Sequence, residues 1–193
     1  LAAPATPASL GAEVSSAWAA YRLTYISHDG RAIDYKNAAI TSSEGQSYAM
    51  LRALWMDDRE TFDRVWSWTN ANLQAGNPAQ LPAWKWGQDA GGQWGVRDPE
   101  PASDADQLIA YSLIGAAKRW KQGRYRDQAR AILDQIWQQE VDQVGGLWTV
   151  LPGPWAKSQA ETRLNPSYFL PFALRAFAVA DPAHPWATLV DDG

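Results

Sequence analysis

The sequence has no cysteine and only two histidines, His28 and His184, set far apart beside Asp-Gly and Pro neighbours. Without thiols there is neither a disulfide framework nor a thiolate metal site, and two isolated imidazoles give no metal-ligand spacing. No cofactor or metal is expected. Basic residues number 17 against 21 acidic ones, for a net charge of −4, and Lys and Arg are scattered. A nucleic acid or an anionic membrane surface would need a concentrated basic patch. No apolar run approaches the roughly 20 residues of a membrane span, so membrane insertion is not expected either.

What the chain has in surplus is indole: twelve Trp, with seven Tyr and four Phe, in 193 residues. Leu, Ile and Val normally supply most of a core, so this Trp count asks for a further use. An indole is flat, apolar on its faces and a hydrogen-bond donor at its edge. It suits the C–H face of a sugar ring lying in a groove as well as it suits a helical core, and for any single Trp both readings stay open. The length suits one domain. Residues 1–12, opening Leu1-Ala2-Ala3-Pro4-Ala5-Thr6-Pro7, read as a disordered leader like the tail left near a processed secretion signal. Residues 13–193 then form a helical domain.

Val14, Trp18, Tyr21 and Tyr25 carry an apolar stripe at helical spacing, which His28-Asp29-Gly30 ends. A second helix runs from Ser43 to Met56 through Tyr48, Leu51 and Trp55. A third runs from the cap Asp57-Asp58 through Phe62, Val65, Trp66, Thr69 and Leu73. So short a link makes the two antiparallel neighbours. Residues 74–102 read as a loop with a two-stranded ribbon, Leu81 to Gly87 against Gln93 to Arg97. A fourth helix starts at Ser103 and closes at Gly123, and a fifth carries Tyr125, Ala129, Ile132, Leu133, Ile136 and Trp137. Val141 to Leu151 reads as two extended pieces split by Gly145-Gly146, and an exposed loop starts at Pro152. A sixth helix opens at Asn165-Pro166-Ser167, with Tyr168, Phe172, Arg175 and Val179 close together, and stops at Asp181-Pro182. Repeated helical hairpins with long aromatic loops on one side fit an all-α barrel or toroid with a groove across its rim.

Two helix starts carry carboxylates. In Thr41-Ser42-Ser43-Glu44-Gly45-Gln46, hydroxyl residues can cap the helix and Gly45 lets a ligand come close, leaving Glu44 as the leading candidate for chemistry; dipole matching and capping are the plain alternative. In Ala102-Ser103-Asp104-Ala105-Asp106 the two Asp are two apart, so on a helix only one can face a groove.

These stretches resemble a known family. Ser43-Glu44-Gly45-Gln46-Ser47-Tyr48, then Ala102-Ser103-Asp104-Ala105-Asp106 continuing to Ile109-Ala110, Leu113, Ala116 and Trp120, then Asn165-Pro166-Ser167-Tyr168, are similar in order and spacing to glycoside hydrolase family 8. The likeness runs from about Trp18 to Trp186 and is greatest to the branch of periplasmic β-1,4-glucanases in bacterial cellulose synthesis.

The resemblance implies an (α/α)6 barrel whose groove binds a β-1,4-glucan or cello-oligosaccharide and cleaves it internally with inversion. It implies Glu44 as general acid and Asp104 as the carboxylate at the cleavage point. Trp84, in Leu81-Pro82-Ala83-Trp84, becomes a sugar-stacking aromatic, Tyr168 a groove residue, and Gln46 a substrate contact. Inverting hydrolysis needs a protonated carboxyl on the leaving oxygen and a base roughly 6.5–9.5 Å away, with water between. A periplasmic or secreted location and a cellulose-synthesis complex as partner belong to the same expectation.

The match also has gaps. The family's base lies in a later Ser-Tyr-Asp-Ala type motif without a counterpart before Gly193. The helices counted here go about halfway round the barrel, which leaves inner apolar faces for a separate C-terminal half to cover. Thr162 stands where the family often has Trp. The alternative function is a non-catalytic β-glucan-binding helical module.

Overall fold

The computed structural model describes residues 7–158, 162 and 164–193. Among the described residues seven α-helices carry the fold: α1 Pro7–Tyr25, α2 Ser43–Trp55, α3 Arg59–Leu73, α4 Ser103–Trp120, α5 Gly123–Glu140, α6 Pro171–Ala180 and α7 Trp186–Asp192. Helix α1 begins at Pro7, inside the span that composition marks as a leader, and residues 1–6 lie outside the described residues.

Helices α2, α4 and α6 pack side by side, and each meets the helix that follows it, α3, α5 or α7. The result is a row of helical hairpins. Helix α4 sits in the middle and is buried nearly all round its first three turns, including Leu108, Ile109, Ala110 and Leu113. Close approach of α2 and α4 depends on Gly115, where a Cβ would stand 2.5 Å from Leu54 Cδ2. The core between layers is filled by large side chains without exposure, among them Phe62, Tyr125, Ile132, Phe177 and Trp186. Phe62 meets the rings of Trp120 and Tyr125 edge-on at 5.1 and 5.6 Å. Burying each such side chain is worth about 1.5–3 kcal/mol.

Local signals set the corners. Asp57 takes a left-handed conformation (φ 57°), and Asp58 caps α3 by accepting from the Thr61 N–H at 3.0 Å. The same Asp58 carboxylate accepts from Trp18 Nε1 at 3.0 Å and Arg22 at 2.9 Å, which ties α1 to this corner. Val144 and Leu147 bracket Gly145-Gly146, both at positive φ, the two-residue turn that right-twisted hairpins prefer. It joins β4 Val141–Val144 to β5 Leu147–Val150.

Several sequence expectations are corrected. Helix α4 ends on Lys121 in the left-handed region (φ 52°), and Gly123 is the first residue of α5. The ribbon is β2 Lys85–Gln88 with β3 Trp94–Asp98, and a third strand, β1 Thr41–Ser42, joins its edge. Pro152 and Gly153 are buried rather than exposed and lead into a 3-10 turn, Pro154–Ser158. The sixth helix starts at Pro171, after a separate 3-10 turn at Pro166–Tyr168. Leu170 precedes a proline and is therefore held out of helical conformation (φ −114°, ψ 79°).

Candidate active site

Strand β1 runs straight into α2, so the three-stranded ribbon fixes the position of the α2 N-terminus. Ser43 N–H donates to the Trp84 carbonyl at 3.0 Å, and Trp84 N–H donates to Glu100 at 2.9 Å. Trp84 is thereby anchored beside Glu44. Ser42 supplies the helix cap, its Oγ accepting from Gly45 N–H at 3.0 Å. The Glu44 carboxylate is left free of that duty. It is half-buried, and its Oε1 accepts the Tyr48 O–H at 3.1 Å from the next turn of the same helix.

Asp104 lies in the first turn of α4, whose N-cap is Ala102 without a side-chain cap. Burial pushes the Asp104 carboxyl above the ordinary aspartate range; main-chain N–H groups of Ala105 and Asp104 itself hold it down, and the nearby Glu44 carboxylate raises it further. Tyr48 and Tyr168 report the same neighbourhood. Burial raises both phenols, and both are raised again by Glu44 and Asp104. Four residues from three separate stretches therefore share one site: Glu44 and Tyr48 from α2, Asp104 from α4, and Tyr168 from the 3-10 turn before α6.

Two clefts open beside these residues, one lined by Glu44 and Tyr48 and the other by Tyr168. One, of about 390 Å³, ends on Glu44 and is lined by Tyr21, Tyr25, Asp34, Tyr35 and Tyr48. The other, of about 180 Å³, is lined by Trp84, Trp155, Tyr168, Asp98, Glu100 and Ala102, the residue that leads into α4. Trp84 is 37% exposed and Trp155 40% exposed, and both line that cleft. Four other Trp, at 18, 66, 68 and 186, are buried in the body of the protein. Indole is thus found both lining a cleft and filling the core.

Gln46 is corrected. It is completely buried, its Oε1 accepts from Ala32 N–H, and its Nε2 donates to Gly30 and Val65 carbonyls and to Thr69 Oγ1. It holds the loop before β1 against α3 and cannot touch a ligand in the cleft. Asp104 and Asp106 diverge as their spacing requires, with Asp106 fully buried.

Sequence reasoning missed Gln107, whose Nε2 donates to the Ser103 and Tyr168 carbonyls at 2.9 Å each and so holds Tyr168 against α4. An amide four residues after Ser103 on a buried helix face was the available signal. It also missed Tyr35 and Trp155, which look like loop residues until the fold brings them to the clefts. Thr162 is described without secondary structure, and most of its neighbours lie outside the described residues.

Paired helices carrying two carboxyls in an aromatic cleft have the form of half an (α/α)6 barrel of the glycoside-hydrolase type. The chain belongs to the glycosyl hydrolases family 8, whose profile matches residues 1–193. It is 42% identical over 177 residues to the endoglucanase of Escherichia coli (strain K12), a match covering 90% of this chain and 48% of that relative. Among solved structures it is similar to endo-1,4-D-glucanase from Vibrio fischeri ES114, with TM-score 0.87 and 35% identity over 92% of this chain and 52% of that one. It is also similar to endo-β-1,4-glucanase CMCax from Acetobacter xylinum, with TM-score 0.81 and 31% identity over 93% and 56% of the two chains. The chain spans about half the length of the relatives it matches.

Proposed function

We propose that these residues form the acid-bearing half of an endo-acting β-1,4-glucanase that inverts at the anomeric carbon. The observation that carries this reading is the nearness of Glu44 and Asp104, from two helix starts, with Glu44 lining a tyrosine cleft and their neighbour Tyr168 lining an indole cleft. A glucan laid along both clefts crosses the carboxyls. Glu44 gives its proton to the glycosidic oxygen as the C–O bond breaks. Water attacks the anomeric carbon from the opposite face and yields a proton to the base. Asp104 holds the sugar whose bond is cut, Trp84 stacks on a further ring, and Tyr168 lines the groove.

The base belongs to the other half of the barrel, in the same polypeptide or a separate one. A groove of about 760 Å³ runs across α2, α4 and α6, lined by Trp55, Tyr111, Ile114, Gly115, Ala176 and Val179. Trp55 is 66% exposed and Val179 86%, which is the apolar face that a complementary half would cover. A periplasmic or secreted enzyme serving cellulose synthesis fits the resemblance. Among the described residues no helix is long and apolar enough to cross a membrane.

The test is reducing-end release from a soluble cellulose derivative by the full barrel, with wild type against Glu44→Gln. Loss of roughly 10³-fold or more with cello-oligosaccharide binding retained supports the assignment. Unchanged hydrolysis would refute it. Binding without hydrolysis in the wild type points instead to a glucan-binding module.

A further inference from the structure

Asp106 and Glu140 form a second pair of carboxyls outside the clefts. Both have zero exposure, and none of their four oxygens receives an N–H or O–H from any other described residue. The two side chains meet each other. A hydrogen bond between two carboxyls exists only if one of them keeps its proton, and two anions in contact without water would be prohibitive. Asp106 is in the first turn of α4, at the positive end of the helix dipole. Glu140 is the last residue of α5, at the negative end, so the proton belongs on Glu140. Two other ionisable groups act on the pair: Asp104 on α4 adds repulsion, while Lys157 on the 3-10 turn opposes it and donates to the Gln138 carbonyl.

The contact closes a ring around the start of α4. Leu151 N–H donates to the Glu140 carbonyl at 2.7 Å, and Ser103 N–H donates to the Pro152 carbonyl at 3.1 Å. The end of α5, the exit of β5 and the start of α4 are thus tied together, with the Glu140–Asp106 contact as a side-chain link across them. Asp104 sits between Ser103 and Asp106 on the segment so held.

We infer that Asp106 and Glu140 share one proton and act as positioning residues that hold Asp104 against Glu44. The inference rests on the glucanase reading only for its purpose, since the proton-sharing itself is independent of any substrate. When alkali removes the proton, repulsion opens the ring at the start of α4 and Asp104 moves. Glu140→Gln keeps a donor towards Asp106 and has no proton to lose.

The experiment follows the ¹³C carboxyl signal of Asp104 by NMR as pH is raised, in the 193-residue chain. Wild type is expected to show two steps, its own titration and a later alkaline one as the pair ionises. Glu140→Gln is expected to lose the second step, and Asp106→Asn, which also leaves an uncharged partner, serves if the first variant fails to fold. A single step in the wild type, or an alkaline step that survives both substitutions, overturns the proposal. Cello-oligosaccharide affinity is measured in parallel on the full barrel and should fall across the same alkaline step in wild type alone. If the full barrel binds no oligosaccharide at any pH, the glucan reading fails while the carboxyl titration still decides the proton-sharing.

Discussion

The Gln46 side-chain amide donates to Thr69 Oγ1 at 2.9 Å in the interior, two positions along α2 from Glu44, whose carboxyl opens on the cleft. A helix turns about 100° per residue, so two residues on is most of the way to the opposite face. One turn of helix therefore serves both the site and the fold beneath it.

Gln46→Ala should accordingly act on stability. It strands the Ala32 N–H and the Gly30 carbonyl in the interior, where each lost partner costs about 1–3 kcal/mol. We expect a loss of about 3 kcal/mol in urea unfolding, larger than Gln46→Glu would cause only if the carboxylate finds the same Ala32 donor. A variant that melts like wild type but binds oligosaccharide weakly would put Gln46 back in the site.

Gly30→Ala tests the same support from the loop side. Gly30 lies at φ 102°, and an added Cβ would stand 2.2 Å from the Arg64 carbonyl oxygen, a main-chain atom that cannot swing away. Left-handed strain and overpacking add, for a cost of at least about 3 kcal/mol. Gly92, also at positive φ but with open space around it, should accept Ala at a cost of only about 1 kcal/mol. Thermal melts of the two variants should differ in that order.

Asp104 sets function against stability. Its folded pKa is raised, chiefly by burial. Such a group contributes its stability fully below its unfolded pKa, near 4, and loses it as pH rises through the folded value. Asp104→Asn removes that loss. The variant should melt above wild type at neutral pH, the difference closing as pH falls towards about 3, while turnover of the full barrel collapses. A variant that melts lower than wild type at pH 7 would show that the Asp104 carboxylate stabilises the fold.

Local chemistry made much of this fold legible. Ser42 and Asp58 announce helix starts, Gly145-Gly146 divides two extended pieces, and three motifs in register point to the family and the barrel. What stayed hidden depends on contacts between distant segments. Gln46 was drawn towards the site by its neighbour Glu44, although its helical phase sends it inward. Glu140 gave no sign of itself, because nothing near it in the chain reveals that Asp106 waits across the α4–α5 corner. Strand β1, two residues long, carries no periodicity at all. In α6, helical spacing groups Tyr168, Phe172, Arg175 and Val179, yet Ala173, Leu174 and Phe177 are the buried face. Periodicity cannot choose between two apolar sides of one helix.

That second apolar side is itself testable. Val179 is 86% exposed and Trp55 66%, so Val179→Glu with Trp55→Ser removes little that the 193-residue chain buries, and its stability should stay within about 0.5 kcal/mol of wild type. Assembly with a separately expressed C-terminal half should suffer far more. Each apolar side chain buried there contributes about 1.5–3 kcal/mol, so the paired substitution should weaken association by roughly a hundredfold or more, read by isothermal titration calorimetry. Hydrolysis by the mixed halves should fall in step at sub-saturating concentration and recover at high concentration, because the acid at Glu44 is untouched. If the halves associate with undiminished affinity, the groove across α2, α4 and α6 is not where the barrel closes.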